Sequence, residues 1–269
     1  MSSKRPLAQH TALVTGASGG IGADIARELA ALGADLVLTA RSADRLEALA
    51  AELRERHDIA VAVLPADLST ATGVEALIAA ADRDHQVDIL VNNAGLGLWG
   101  PFVESSWAEV ERQLQVDLMA LTRLTHHFAP LMKARGRGRI MNVASFLALS
   151  PCPDFAVYAA AKSYVLSLTE ALDVELKKSG VRCFATCPGG TRTGFSEVAG
   201  QRLNKVGERS LMTSAEVARL SVNKMMRGRR TYIPGWFNVI SAYIVALLPR
   251  TMRPGFMSTA MRAGVEKAT

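Results

Sequence analysis

The stretch TALVTGASGGIG, residues 11–22, decides how the rest of the chain is read. A short apolar run ends in a cluster of glycines, and a helix-period run from about Ile21 to Leu32 starts inside that cluster. Strand, tight turn and helix in this order open a βαβ unit. Gly16 suits the tight turn, Gly20 a close backbone approach and Gly22 close packing of helix on sheet. The free N–H groups at the helix start and its dipole attract a pyrophosphate. Gly16, Ser18, Gly19, Gly20, Ile21 and Gly22 are therefore candidate phosphate-loop residues.

Outward from this unit, short apolar runs alternate with longer helical ones. DLVLTA precedes a charged helix from about Ala43 to Arg56, and IAVAVLPAD precedes another from about Thr70. VDILVNNAG is a fourth strand, followed by a long helix from about Trp107 to Lys133 with a Ser106–Glu109 capping box. GRIMNVAS and VRCFATCPGG are the fifth and sixth strands, and TYIP predicts a short seventh. Thr213 and Glu216 predict a second capping box, opening a helix to about Arg227. Strands apolar on both faces need helices on both sides, and the alternation predicts parallel strands with right-handed crossovers. The expected fold is an α/β, doubly wound parallel sheet of about seven strands, in one domain over 1–269. Residues 190–212 lack periodicity and read as a long loop, expected to act as a substrate lid.

Of the 269 residues, 49% are hydrophobic and 21% charged, enough for a large core. The net charge of +6 is uneven: residues 201–269 hold 12 Lys/Arg and 3 Asp/Glu, while the first 200 hold 19 and 22. The basic excess is not interleaved with aromatics as a nucleic-acid groove is, so no nucleic-acid partner is expected. The N-terminus, MSSKRPLAQH, lacks an apolar signal core. Cys183 and Cys187, on a strand, stand about 13 Å apart, too far for a disulfide. With Cys152 they read as buried thiols in a reducing cytoplasm. His126 and His127 match no metal spacing, and no metal is expected.

A site for NAD usually places an acid at the end of the second strand for the ribose hydroxyls. Here that strand ends in Ala40, Arg41 and Ser42. A guanidinium pairs with a 2′-phosphate that a carboxylate repels, so Arg41 and Ser42 predict NADP(H) as cofactor.

The stretch VYAAAKSYVLSL, residues 157–168, places Tyr158 and Lys162 one helical turn apart. A free phenol has a pKa of about 10, and an adjacent ammonium lowers it by stabilising the phenolate. Tyr158 is the expected general acid/base. Lys162 is expected to lower its pKa and to reach the cofactor ribose. Ser145, at the end of the fifth strand, is expected to orient a substrate oxygen. Tyr164 faces away from Tyr158 and reads as a packing residue.

TGASGGIG, Asp67 in PADLS, NNAG at 92–95, Ser145, YAAAK at 158–162 and PGGTRT at 188–193 together resemble the short-chain dehydrogenase/reductase family, in its order, over about residues 8–195. TAR after the second strand matches the family's NADP-preferring branch. The resemblance implies that Asp67 and Leu68 meet the adenine, and that Asn93, Ala94 and Gly95 line the cofactor. It places Pro188, Gly189 and Thr191 by the nicotinamide, with Thr193 at its carboxamide or the diphosphate. It also implies a homodimer or homotetramer. One departure is Asp117, where the family usually has Asn. There the backbone carbonyl holds a water on the proton path to the Lys, and a carboxylate near Lys162 favours the ammonium while opposing the phenolate.

The expected activity is hydride transfer between NADP(H) and a carbonyl or alcohol, on a small lipophilic ketone or aldehyde. The competing reading is a non-catalytic NADP(H)-binding regulator; such proteins lose the Tyr or Lys that this chain retains. GLGLWGPF (Gly95–Phe102), Phe146, Leu147 and residues 190–212 are expected to line the substrate pocket. Residues 236–264 form a basic-flanked C-terminal extension, whose apolar run 236–249 follows Arg227, Arg229 and Arg230 and precedes Arg250 and Arg253. At fourteen residues, WFNVISAYIVALLP is too short to span a bilayer. It could cover the pocket, form a subunit contact, join the core, or lie peripherally on a membrane.

Overall fold

Strand β1 (Thr11–Thr15) is the third strand of a seven-stranded sheet whose strands all run parallel. The structure is a computed structural model and describes residues 5–265. The other strands are β2 (Asp35–Thr39), β3 (Val61–Val63), β4 (Val87–Asn92), β5 (Gly138–Val143), β6 (Val181–Thr186) and β9 (Thr231–Tyr232). Their order is β3-β2-β1-β4-β5-β6-β9. The order reverses between β1 and β4, which opens a crevice at the C-terminal strand ends.

The period of two along each strand feeds two separate cores. Ala12 and Val14 face one side with Leu36, Leu38, Ile89, Val91, Met141 and Phe184. Helices α1 (Gly20–Ala31), α2 (Ala43–His57) and α9 (Ser214–Met226) cover that side. Leu13 faces the other with Val37, Leu90, Ile140 and Cys183, beneath α3 (Ala71–Asp84), α5 (Leu121–Ala134) and the C-terminal part of α6 (Ala156–Leu176). Continuous burial on both faces is what makes these strands read as unbroken apolar runs.

Buried polar groups tie the layers together. Asn92 Nδ2 donates to Asn142 Oδ1 (2.8 Å) and Thr125 Oγ1 (3.0 Å), and Asn142 Nδ2 donates to Thr169 Oγ1 (2.8 Å). The chain links β4, β5, α5 and α6, and Asn92 Oδ1 is its one buried atom left without a partner. Fully buried Asp173, on α6, accepts from Arg182 Nε (2.7 Å), Arg230 Nε (3.0 Å) and the Cys183 N–H (3.1 Å). It clamps the entry of β6 to the residue preceding β9.

Several expectations are refined. The long helix after β4 is divided: α4 (Trp107–Leu114), a π-helical turn at Gln115–Ala120, then α5, which holds Pro130 within it. The Ser106–Glu109 capping box forms in full, whereas at α9 only the Thr213 hydroxyl accepts, from the Glu216 N–H. Residues 190–212 are not a structureless loop. They contain β7 (Thr191–Arg192), α7 (Phe195–Val198), α8 (Lys205–Arg209) and the start of β8 (Met212–Thr213), with β7 and β8 pairing in parallel. Their elements are too short to show a period. The extension folds into α10 (Trp236–Leu247) and α11 (Arg253–Ala263). Among the described residues no helix is long and apolar enough to cross a membrane. Cys152, Cys183 and Cys187 are free and buried. Burial pushes the thiols up, Cys152 to about 11 and the other two to about 12.

Candidate active site

A cleft of about 830 Å³ follows the crevice at the strand ends. The glycine loop forms its floor at one end. Gly16 has φ +65°, and a Cβ there would stand 2.8 Å from Asn93 Nδ2 and 2.9 Å from Ala94 Cα. At Gly22 a Cβ would collide with Asn93 Nδ2 and the Gly16 carbonyl. No side chain caps α1 at Gly19, so the N–H groups of its first turn remain available to an anion.

Asn93 holds this loop in place more than it lines the cleft. Its Nδ2 donates to the carbonyls of Thr15 (3.0 Å) and Gly16 (3.2 Å). The Thr15 hydroxyl, not singled out in the sequence, accepts from the N–H groups of Asn93 and Ala94, both at 3.0 Å. β1 and β4 are thereby fastened where the sheet switches direction.

Arg41 and Ser42 line the cleft beyond the loop, joined by Arg45 from the first turn of α2. Asp67, Leu68, Ala94 and Gly95 border the same region. Asp67 Oδ1 accepts from the Ser69 N–H (3.0 Å) and hydroxyl (2.8 Å). These bonds, with Arg41 adding its charge, hold the carboxyl below its ordinary range. Pro188, Gly189, Thr191 and Thr193 line the wall opposite, and Thr193 Cγ2 would stand 2.9 Å from a Cβ at Gly20. N–H donors over open space at Gly19, and Arg41 and Arg45 at a β2 end whose own residues include no acid, fit a phosphorylated dinucleotide.

Ser145, Tyr158 and Lys162 meet at the middle of the cleft, all buried. Ser145 ends the segment after β5, and its Oγ accepts the Leu147 N–H (3.1 Å), which fixes its rotamer. Lys162 Nζ donates to the Val143 carbonyl (3.2 Å), stands 3.9 Å from Asp117 Oδ1 and lies 5.5 Å from the Tyr158 ring centre. Burial pushes the Tyr158 phenol upward, and the Asp117 charge adds to the rise, while a hydrogen bond to Ser145 opposes it. Burial and the Asp117 charge thus act in the direction opposite to the lowering expected from the Tyr–Lys spacing. The π-helical turn delivers Asp117 to this point. Its Oδ1 accepts the Leu96 N–H (2.9 Å), and its Oδ2 is buried without a hydrogen-bond partner. Burial raises the Asp117 carboxyl, with Lys162 and the Leu96 N–H working against the rise.

The substrate side is apolar. Phe155 and Phe195 flank Tyr158, with ring centres 5.5 and 5.3 Å away. Leu96, Phe146, Leu147, Val198, Leu203 and Leu211 line the same end. From GLGLWGPF only Gly95 and Leu96 line the cleft. Trp99 packs edge-on against Phe155, and Phe102 is exposed. Phe195 falls within residues 190–212, expected to line the pocket, whereas Phe155 and Arg45 escaped the sequence reading, as did Ala260, Met261 and Gly264 of the extension. Met257 and Met261 join the apolar cluster around Tyr158. Asn204 Nδ2 donates to the Ala263 carbonyl (2.9 Å), and Arg262 Nε donates to Asp154 Oδ2 (2.9 Å), fastening α11 over the cleft. Tyr164 is part-exposed, not packed in a core, and its hydroxyl lies 2.9 Å from Thr122 Oγ1.

Comparison with known proteins finds relatives of the same fold. The model of the short chain dehydrogenase family matches residues 10–204. Oxidoreductase UcpA of Salmonella typhimurium is 36% identical over 209 residues, covering 77% of this chain and 79% of its own. A short-chain dehydrogenase from Sphingobium yanoikuyae in complex with NADPH superposes with a TM-score of 0.81 at 33% identity, covering 97% of both chains. A short chain dehydrogenase/reductase from Burkholderia phymatum in complex with NAD gives 0.79 at 26%, covering 89% of this chain and 94% of the other.

Proposed function

The chain belongs to the short-chain dehydrogenase family, and from that membership we propose that it transfers hydride between NADP(H) and the carbonyl or hydroxyl carbon of a lipophilic ketone or aldehyde, or its alcohol. The observation that carries this reading is the convergence of Ser145, Tyr158 and Lys162 in one cleft between a cationic, glycine-floored end and an apolar end. The nicotinamide cofactor, when bound, supplies or accepts the hydride. Gly16, Gly20 and the first turn of α1 would hold its pyrophosphate, Arg41 and Arg45 its 2′-phosphate, and Lys162 its ribose. Asp67 and Leu68 would border the adenine. Pro188, Gly189, Thr191 and Thr193 would bound the nicotinamide.

In reduction, the substrate oxygen accepts a hydrogen bond from Ser145 and the proton of the Tyr158 phenol. The phenol is protonated at neutral pH, as this direction requires. Alcohol oxidation needs the phenolate, so its rate rises with pH. Phe155 and Phe195 keep water from the phenol, and α7 and α8 serve as the lid. The buried free thiols suit a reducing cytoplasm, and the chain acts as a homo-oligomer.

A panel of ketones, aldehydes and alcohols, followed by NADPH absorbance, tests the reading. Wild type should turn over apolar carbonyls. Tyr158→Phe should lower kcat by about 10²–10⁴-fold while NADPH binding, read by fluorescence, persists. NADPH binding by wild type without turnover across the panel would identify a regulator instead.

A further inference from the structure

α10 is amphipathic in the inverted sense. Its inward face is small and partly polar: Asn238, Ser241, Ala242 and fully buried Val245, the last within the apolar cluster that surrounds Tyr158. Its outward face holds Trp236, Phe237, Ile240, Tyr243, Ile244 and Leu247, of which Trp236 is 77% and Leu247 85% exposed. The spacing i, i+1, i+4, i+7, i+8, i+11 puts all six on one stripe. α10 contains no charged residue at all. Beyond its end Met252 and Phe256 are also exposed. A row of this size, with both aromatic types favoured at bilayer interfaces, is far from the scattered apolar residues of an ordinary surface.

The segment that carries α10 has charge of one sign along its sequence, though Arg230 and Arg262 are paired with Asp173 and Asp154 of other elements. Residues 217–265 contain no Asp or Glu, and they hold eight Lys and Arg. Arg253 is used structurally, donating through Nε to the Leu248 carbonyl and through Nη2 to the Ala246 carbonyl, both at 3.0 Å, so it caps the end of α10. Arg227, Arg229 and Arg250 make no ion pair among the described residues. A second copy of this chain docked on the stripe about a two-fold axis would bring the same acid-free, cationic segment against itself. An anionic lipid surface complements it.

We propose that α10 docks the protein on anionic membranes, its stripe entering the boundary between headgroups and acyl chains while Arg250 and its cationic neighbours pair with lipid phosphates. The helix lies in the plane of the interface and does not cross. This surface belongs to the same C-terminal extension whose α11 lines the cleft, so docking places the cleft's cover near the bilayer. The inference does not rest on hydride transfer.

Flotation of the full chain with vesicles tests it, using phosphatidylcholine alone or mixed equally with phosphatidylglycerol. The test variant carries Trp236→Ser, Phe237→Ser, Tyr243→Ser and Leu247→Ser, all at outward positions. Its thermal midpoint and NADPH binding are checked first, and Arg250→Glu provides a single-site variant should the fourfold one fail to fold. Wild type should float with the anionic vesicles at low salt and lose this at high salt. The serine variant should float at least about tenfold less, and Arg250→Glu at least about fivefold less, the loss of one cation alone being worth about 1 kcal/mol. Wild type that stays at the bottom of the gradient overturns the proposal, as does a folded serine variant that floats as wild type does. Failure to float, combined with a dimer that the serine substitutions split in sedimentation velocity, would make the face a subunit contact.

Discussion

Asp117 Oδ1 and Lys162 Nζ stand 3.9 Å apart, both side chains buried, with Gly95 pressed against the pair: a Cβ there would lie 3.0 Å from the carboxylate and 3.2 Å from the ammonium. The carboxylate competes with the phenolate for the same cation. It also raises the Tyr158 pKa through its own charge, on top of the rise from burial. Asp117→Asn keeps an oxygen for the Leu96 N–H and removes the charge. The Tyr158 pKa should therefore fall, and the rise of alcohol oxidation with pH should begin at lower pH than in wild type. Reduction at neutral pH, which uses the protonated phenol, should change little. Initial rates of oxidation against pH for both proteins read this directly, and coincident profiles would remove Asp117 from the proton chemistry.

Arg41 and Arg45 approach the cleft from one side of α2's start, with no acid at the end of β2 to oppose a 2′-phosphate. Arg41→Asp replaces attraction by repulsion. The NADPH to NADH ratio of kcat/KM should drop by about 100-fold, equivalent to ~2.7 kcal/mol. Arg45→Ala should lower it less. A ratio unmoved by Arg41→Asp would reassign the selectivity to other groups.

What the sequence shows of this architecture depends on how local each signal is. The βαβ start and the Tyr158–Lys162 pair are legible because turn chemistry and helical spacing act over a few residues. The strand order is legible in outline, since two-sided apolar runs require a covered parallel sheet. The direction of the Tyr158 shift is not legible: it is decided by burial under Phe155 and Phe195 and by Asp117, which comes from a different helix through a π-helical turn. The role of α11 is hidden for the same reason, because Met261 reaches the cleft only through tertiary folding. Residues 190–212 hide their helices and strands because four- and five-residue elements cannot display a period.

Gly19 and Gly22 separate the two duties of the phosphate loop. At Gly22 a Cβ meets backbone and a fixed Asn93 amide, neither of which can yield. Gly22→Ala should cost about 3 kcal/mol of stability and weaken NADPH binding together. Gly19 has extended φ and nothing within 4 Å of an added Cβ. Gly19→Ala should leave stability within about 0.5 kcal/mol and weaken NADPH binding alone, by crowding the open space over the α1 N-terminus. Thermal unfolding with and without NADPH compares both variants, and equal losses of stability would contradict the division.

Asp173 makes the stability of the sheet's far edge depend on pH. Burial by itself would raise its carboxyl, but the bonds from Arg182, Arg230 and the Cys183 N–H outweigh it and hold the carboxyl below the usual range. A folded-state pKa below the unfolded value of about 3.9 means the folded protein binds the proton less readily than the unfolded chain. The stabilisation is complete above that value and disappears as pH falls through the folded pKa. Asp173→Asn should therefore destabilise the protein by about 3 kcal/mol at neutral pH, having left two guanidinium groups without their shared anion. For a chain of this length that lowers Tm by about 6–12 °C. The gap between variant and wild type should narrow on acidification below about pH 4, where wild type loses the same interaction by protonation. Urea unfolding of both proteins across that range measures the gap. A difference constant with pH would mean that Asp173 acts through packing and not through its charge.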